Sequence, residues 1–154
     1  MRIVLQRVSE ARVVVDEREV SSIGAGLLVL AAFKVGDGEE ELRWMARKCL
    51  EIRVFEDGEG KMNRSLLDEE GELLMVSQFT LYGNCRKGRR PAYTESAPAE
   101  EAERLYERFL EILRGEYDRV AAGIFGAKMS VSLVNDGPVT LIMERESQRD
   151  MNGV

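Results

Sequence analysis

The sequence predicts one α/β domain in which mixed, largely antiparallel β-sheets are layered with two main helices. Three observations predict it. Short apolar runs rich in Val, Ile and Leu recur along the 154 residues and have the character of strands. Only two stretches carry apolar residues at helical spacing. No linker, repeat or low-complexity segment divides the chain, and its length suits a single core. The expected order is β-β-β-β-α-β-β-α-β-β, with the domain over residues 1–144 and a charged tail over 145–154 that frays.

Residues 1–8 and 11–15 are rich in β-branched side chains and read as two strands joined by Ser9-Glu10. Asp16-Glu17-Arg18-Glu19 is a charged turn, and residues 20–23 form a short strand. Gly24-Ala25-Gly26 reads as a tight turn. It lacks the makings of a phosphate-binding loop, because a strand follows it and no Lys stands where one is needed. Residues 27–33 are continuously apolar, as a strand covered on both faces requires.

The first helix spans residues 39–50. Leu42, Met45, Ala46 and Cys49 share one face, three Glu open it and Arg47-Lys48 close it, matching the helix dipole. Trp44 lies off that stripe, either exposed or covered by a partner. Residues 52–55 form a strand, 65–71 a short polar connection and 73–81 a buried strand. In the second helix Ser96 is the expected N-cap, Pro98 falls in the first turn and Gly115 is the stop. Ala102, Leu105, Tyr106, Phe109, Ile112 and Leu113 make its apolar stripe. Residues 117–126 are irregular, and strands at 128–134 and 139–144 flank a turn at Asn135-Asp136-Gly137-Pro138.

Composition excludes several functions. The chain contains no histidine, so a Ser-His-Asp triad, a Cys-His dyad, a histidine metal site and an imidazole base are all ruled out. Hydrolysis here has to use carboxylates, an oxygen-held metal, backbone groups or a group on the substrate. Cys49 and Cys85 form no Cys-x-x-Cys pair, which indicates neither a disulfide framework nor a zinc site. The longest apolar run, residues 24–33, falls short of the ~20 residues a membrane span needs, and residues 1–7 have no signal-peptide pattern. A cytoplasmic protein with no membrane partner is expected. The net charge of −6 argues against indiscriminate coating of nucleic acid but leaves room for a local basic footprint.

The stretch Leu73-Leu74-Met75-Val76-Ser77-Gln78-Phe79-Thr80-Leu81 changes character midway, from apolar to hydroxyl and amide side chains. Alternation puts Ser77 and Phe79 on one face and Gln78 and Thr80 on the other, so the two hydroxyls meet only if the strand ends or bends there. Neither has a base nearby in sequence. They either satisfy local backbone groups or line a site in which a fraying strand end offers unpaired N–H and C=O groups. Directly afterwards Arg86, Lys87, Arg89 and Arg90 crowd into one loop, either as a solvated run or as a phosphate contact. Asn135-Asp136-Gly137-Pro138 has the chemistry of a turn, yet Pro138 removes a donor where a ladder would resume. An X–Pro bond is also where a cis peptide costs little, so Gly137-Pro138 is a candidate for two rigid, unusually directed carbonyls.

Together these residues resemble the D-aminoacyl-tRNA deacylase family. The resemblance lies in Gln6-Arg7-Val8, Gly24-Ala25-Gly26-Leu27-Leu28-Val29-Leu30, Gly60-Lys61-Met62-Asn63, Ser77-Gln78-Phe79-Thr80-Leu81, Arg90-Pro91 and Val134-Asn135-Asp136-Gly137-Pro138-Val139-Thr140. It runs in order from about residue 1 to residue 143. It implies a deacylase-type fold and a homodimeric editing enzyme that hydrolyses the ester between a D-amino acid and the terminal adenosine of tRNA, and accepts glycyl-tRNA. It implies no cofactor and no metal. Ser77, Gln78, Phe79 and Thr80 would line the pocket, largely through main chain, with the backbone of Ala127 and Met129 beside them. Gly137 and Pro138, joined by a cis bond, would enter the partner subunit's pocket and exclude an L side chain, supported by Arg7 and Asn135. Arg86, Lys87, Arg89 and Arg90 would contact the tRNA acceptor stem.

The resemblance attributes catalysis mainly to the tRNA's own ribose 2′-hydroxyl, which accounts for a chain without histidine. Lys128 stands where the family often has an acid, so no role is carried over to that side chain. Two other readings compete: a non-catalytic module that binds tRNA acceptor ends, and a carboxylate-based hydrolase using Asp136 or Glu72. The second lacks any paired-acid spacing.

Overall fold

One strand organises the sheet. β1 (Arg2–Val15) pairs antiparallel with β8 (Ser130–Glu144) along one edge. Along its other edge it pairs first with β3 (Gly26–Ala32) and then with β2 (Arg18–Ile23). The computed structural model describes residues 1–147. β3 continues in parallel to β6 (Glu72–Ser77), and β6 in parallel to β7 (Val120–Ala122). β2 approaches β6 and β7, so the sheet curls toward closure. A separate two-stranded ribbon joins β4 (Phe55–Glu56) to β5 (Met62–Arg64).

Alternation along the two strands explains why β3 is apolar throughout and β6 is apolar over residues 73–76. Leu27, Val29, Leu73 and Met75 face α1 (Glu39–Glu51) and α3 (Ala99–Glu116), where they pack with Met45, Cys49 and Phe109. Leu28, Leu74 and Val76 point the other way, into a second cluster with Val8, Val13 and Ile23 inside the curl. The expected two-faced burial is present. Parallel pairing starts with Gly26 opposite Glu72, where a Cβ on Gly26 would lie 1.8 Å from the Glu72 carbonyl oxygen. Close backbone approach, rather than a tight turn alone, is what calls for glycine there.

Several expectations are corrected. Residues 1–15 form one strand, not two. Ser9 and Glu10 are exposed, and the pairing with β8 shifts register around them. That shift turns the inward residues from the helix side (Ile3, Leu5) to the inside of the curl (Ala11, Val13). Residues 52–54 are not strand: the Ile52 N–H caps α1 at the Lys48 carbonyl, and the Val54 carbonyl accepts from Arg7. The connection at 65–71 contains a one-turn helix, α2 (Leu66–Glu69), held by a reciprocal Ser65–Asp68 capping box.

α3 starts after Pro98 rather than at Ser96, because the Ala97 N–H is committed to the Phe33 carbonyl. It runs through Gly115 to Glu116, and the Tyr117 N–H closes its last turn on Leu113. Residues 120–122, expected to be irregular, add an edge strand to β6. Trp44 is 39% exposed, and the Arg145 guanidinium lies 5.4 Å from its ring centre.

The expected fraying does not reach Arg145 to Ser147. The Arg145 N–H donates to the Met1 carbonyl, and Ser147 is buried. The rest of that expectation, residues 148–154, lies outside the described residues. Among the described residues no helix is long and apolar enough to cross a membrane.

Candidate active site

The end of β6 builds the site. Its partner β3 stops at Ala32, so β6 has nothing to pair with beyond Ser77. The Gln78 N–H makes the last rung, 2.8 Å from the Ala31 carbonyl oxygen, and Gln78 then leaves the sheet at φ −146°, ψ 73°. Residues Phe79–Tyr82 form a single 3₁₀ turn instead of the expected continuation of the strand. The first hydrogen bond of that turn runs from the Leu81 N–H to the Gln78 carbonyl. The turn therefore supplies no acceptor for the N–H groups of Phe79 and Thr80. The Gln78 side-chain amide donates to Thr80 Oγ1.

A pocket of about 620 Å³ opens beside this turn. Ser77, Gln78 and Phe79 form one side, Tyr93 and residues 96–99 another, and Phe125, Ala127 and Met129 a third. None of its lining residues is Asp, Glu, Lys or Arg. Tyr106, on the buried face of α3, braces the third side. Its hydroxyl donates to the Gly123 carbonyl at 3.3 Å and its ring packs 5.5 Å from that of Phe125. Burial pushes the Tyr106 phenol up to about 12, so it stays neutral. A Cβ on Gly123 would come within 2.6 Å of Met129 Sδ, so glycine leaves room for the methionine side chain.

Gly137 and Pro138 lie elsewhere. Val8 pairs with Asn135 and Gln6 with Thr140, so residues 136–139 all stand opposite the single residue Arg7. The expected hairpin is thus absent. Both halves of β8 pair with β1, and the Gly-Pro segment is extruded from one continuous strand. The Gly137–Pro138 peptide bond is cis.

The bulge is clamped from beneath. Arg7, only 6% exposed, donates through Nη1 to the Val54 carbonyl (2.7 Å) and through Nε to the Asp136 carbonyl (3.2 Å). Its guanidinium faces the carboxylates of Asp136 (3.5 Å) and Glu56 (3.9 Å). Asn135 Nδ2 ties the two flanks together by donating to the carbonyls of Arg7 (3.0 Å) and Val139 (2.9 Å). Thr140 Oγ1 accepts from Gln6 Nε2 and donates to Asn135 Oδ1.

The basic loop adjoins the pocket. An antiparallel bridge between Asn84 and Ala92 closes it, with hydrogen bonds of 2.7 and 3.0 Å. Arg86, Lys87, Arg89 and Arg90 all stand exposed on it. Tyr93 follows the bridge directly and packs edge-on against Phe79, with ring centres 5.1 Å apart.

The model of the D-Tyr-tRNA(Tyr) deacylase family matches residues 4–144. The chain belongs to this family. It is 57% identical to the D-aminoacyl-tRNA deacylase of Chlorobaculum parvum over 145 residues, covering 94% of this chain and 97% of that one. It is 53% identical to the D-aminoacyl-tRNA deacylase of Carboxydothermus hydrogenoformans over 144 residues, covering 94% and 99%. Among solved structures it superposes on the c-Myc DNA unwinding element binding protein with a TM-score of 0.91 at 43% identity, covering 96% of this chain and all of that one.

Within this deacylase-family fold, the pocket gathers Ser77, Gln78, Phe79, Ala127 and Met129. Thr80, on the 3₁₀ turn, does not line it. Arg7, Asn135, Gly137 and Pro138 form a second, separate cluster. Sequence reasoning missed Tyr93, Phe125 and residues 96–99 of the pocket wall, because no motif or spacing set them apart. It also gave no role to Gln6 and Thr140, although both stand inside motifs shared with the deacylase family.

Proposed function

We propose that this chain is an editing hydrolase that cleaves the ester of D-aminoacyl-tRNA to free amino acid and tRNA in the cytoplasm. Family membership over almost the whole chain supports the activity. The observation that carries the mechanism is the pocket at the end of β6, which has no charged side chain in its lining. In such a site the substrate supplies the base. Water adds to the ester carbonyl, the bond to the ribose 3′-oxygen breaks, and the neighbouring 2′-hydroxyl relays a proton from the water to the leaving oxygen. The N–H group of Phe79 is the donor for the oxyanion, and Ser77 and Gln78 hold the acylated nucleoside. Thr80 is not the nucleophile, since it does not line the pocket and no charged side chain in the lining could act as its base.

Chirality is read across a subunit interface. Gly137 and Pro138 are extruded on a clamped bulge and do not line their own chain's pocket, which suits insertion into a neighbour's. β8 pairs with β1 alone among the described strands, and its Val134, Leu141 and Ile142 are exposed, which suits a homodimer. Once inserted, the two carbonyls face the substrate Cα and leave no room for an L side chain. Glycyl-tRNA has no side chain to exclude and is accepted. Arg86, Lys87, Arg89 and Arg90 contact acceptor-stem phosphates.

The test is hydrolysis of D-tyrosyl-tRNA beside L-tyrosyl-tRNA, each with a normal or a 2′-deoxy terminal adenosine. Rapid loss of the D-ester alone is expected, slowed about a hundredfold or more by the 2′-deoxy change. Acceleration of neither ester, with tRNA still bound, would replace this reading with a non-catalytic acceptor-end binding module.

A further inference from the structure

We infer that Tyr93, paired with Phe79, is a stacking platform for the unpaired base that precedes the terminal nucleoside of an RNA 3′ end. The inference rests on the deacylase reading of the same pocket and extends it to a second nucleotide. Both rings are open to solvent, Phe79 at 55% and Tyr93 at 37%, although large aromatic side chains normally bury themselves. They are also held in place. The two rings meet edge to face at 62°, and Gly83 lies against the Tyr93 ring, where a Cβ would come 3.0 Å from Cε1.

Position gives the pair its partner. Both residues line the mouth of a pocket whose volume encloses one ligand of drug size, enough for a single acylated nucleoside. The next nucleotide of a strand entering that pocket therefore has to lie on the rim. There it meets exposed aromatic rings next to the loop that bears Arg86, Lys87, Arg89 and Arg90. Aromatic faces beside clustered cations are how single-stranded nucleic acid is gripped: cations follow the phosphates while rings stack on bases. A stack tolerates any base, so this contact adds affinity for an unpaired end without selecting among tRNAs.

Equilibrium binding of a short uncharged RNA ending in CCA, compared with the same RNA abasic at the penultimate position, tests the platform. Removing that base is expected to weaken binding to the unmodified protein about tenfold. Tyr93→Leu is expected to weaken binding of the intact RNA by the same factor with an unchanged salt dependence, and to bind the abasic RNA as the unmodified protein does. Tyr93→Phe should retain full affinity. Equal binding of the two RNAs by the unmodified protein would overturn the inference, whatever the variants do. So would a Tyr93→Leu defect that persists on the abasic RNA. Hydrolysis of D-tyrosyl-tRNA, run in parallel, keeps the two proposals apart. A base effect on binding without hydrolysis retains the platform and removes the deacylase, and hydrolysis without a base effect does the reverse.

Discussion

The α-ammonium group of Met1 lies 2.7 Å from Asp37 Oδ1, with the two side chains only 0% and 2% exposed. The same ammonium donates to the Arg145 carbonyl at 2.6 Å, and Asp37 Oδ2 accepts from the Lys34 N–H at 2.7 Å. Burial pushes the Asp37 carboxyl up from its ordinary value, while the Lys34 amide and the ammonium pull it back. One ion pair thus joins the start of β1, the loop before α1 and the end of β8. Asp37→Asn keeps the shape but leaves a buried cation facing an amide. It is expected to cost about 3 kcal/mol in urea unfolding. An unchanged midpoint would mean that the pair contributes nothing net.

Arg7 holds the Gly-Pro bulge through two carbonyls that belong to different segments, Val54 and Asp136. A lysine retains the charge but not the planar fork that reaches both. Arg7→Lys is expected to lower the ratio of D- to L-tyrosyl-tRNA cleavage more than it lowers tRNA binding. Rates on the two esters, measured beside affinity for uncharged tRNA, separate these effects. A proportional loss on both esters with the ratio intact would mean that Arg7 does not position the chiral filter.

Gly26→Ala drives a methyl group into the Glu72 backbone, which cannot move without opening the β3–β6 pairing. The expected cost is about 3 kcal/mol, the upper end of ordinary overpacking. Gly58→Ala is the control. A Cβ there meets nothing within 4 Å, and its stability should stay within about 0.5 kcal/mol of the parent. Chemical denaturation of the two variants should therefore separate them clearly.

Glu39 links α1 to α3, accepting from Arg108 at 2.7 and 2.9 Å. Its carboxyl is held down at about 2, chiefly by the Arg108 hydrogen bonds, against an ordinary value of 4.5. A depressed carboxyl stabilises the fold above its unfolded value, and that stabilisation disappears as pH falls from 4.5 toward 2. Glu39→Gln should melt below the parent near neutral pH, and the gap should close across this acid window. The pair is exposed, so added salt should shrink the gap as well. A gap independent of pH would assign the loss to packing.

Much of the scaffold was legible because it depends on local periodicity. The continuous apolar run of β3 signalled burial on two faces, the apolar start of β6 signalled a buried strand, and the Leu42–Met45–Ala46–Cys49 stripe signalled α1. The candidate site was only half legible. That Ser77 ends a strand depends on where β3 stops, a fact held some forty-five positions earlier in the chain. Asn135-Asp136-Gly137-Pro138 has the same turn chemistry whether it closes a hairpin or is extruded from a single strand. What decides is that β1 keeps its pairing on both sides of Arg7. Tyr93 carried no signal, since a lone aromatic between Pro91 and Ser96 matches no spacing rule. Its place opposite Phe79 exists only in three dimensions.

β1 also has a consequence for how the molecule is made. It leaves the ribosome before the other described strands, yet the strand that covers one edge of it, β8, is the last of them to be made. Until residues 130–144 emerge, the nascent chain carries a long strand with one edge open to any other strand it meets. The sheet cannot be completed stepwise during synthesis, and contacts spanning nearly the full chain make its closure slow.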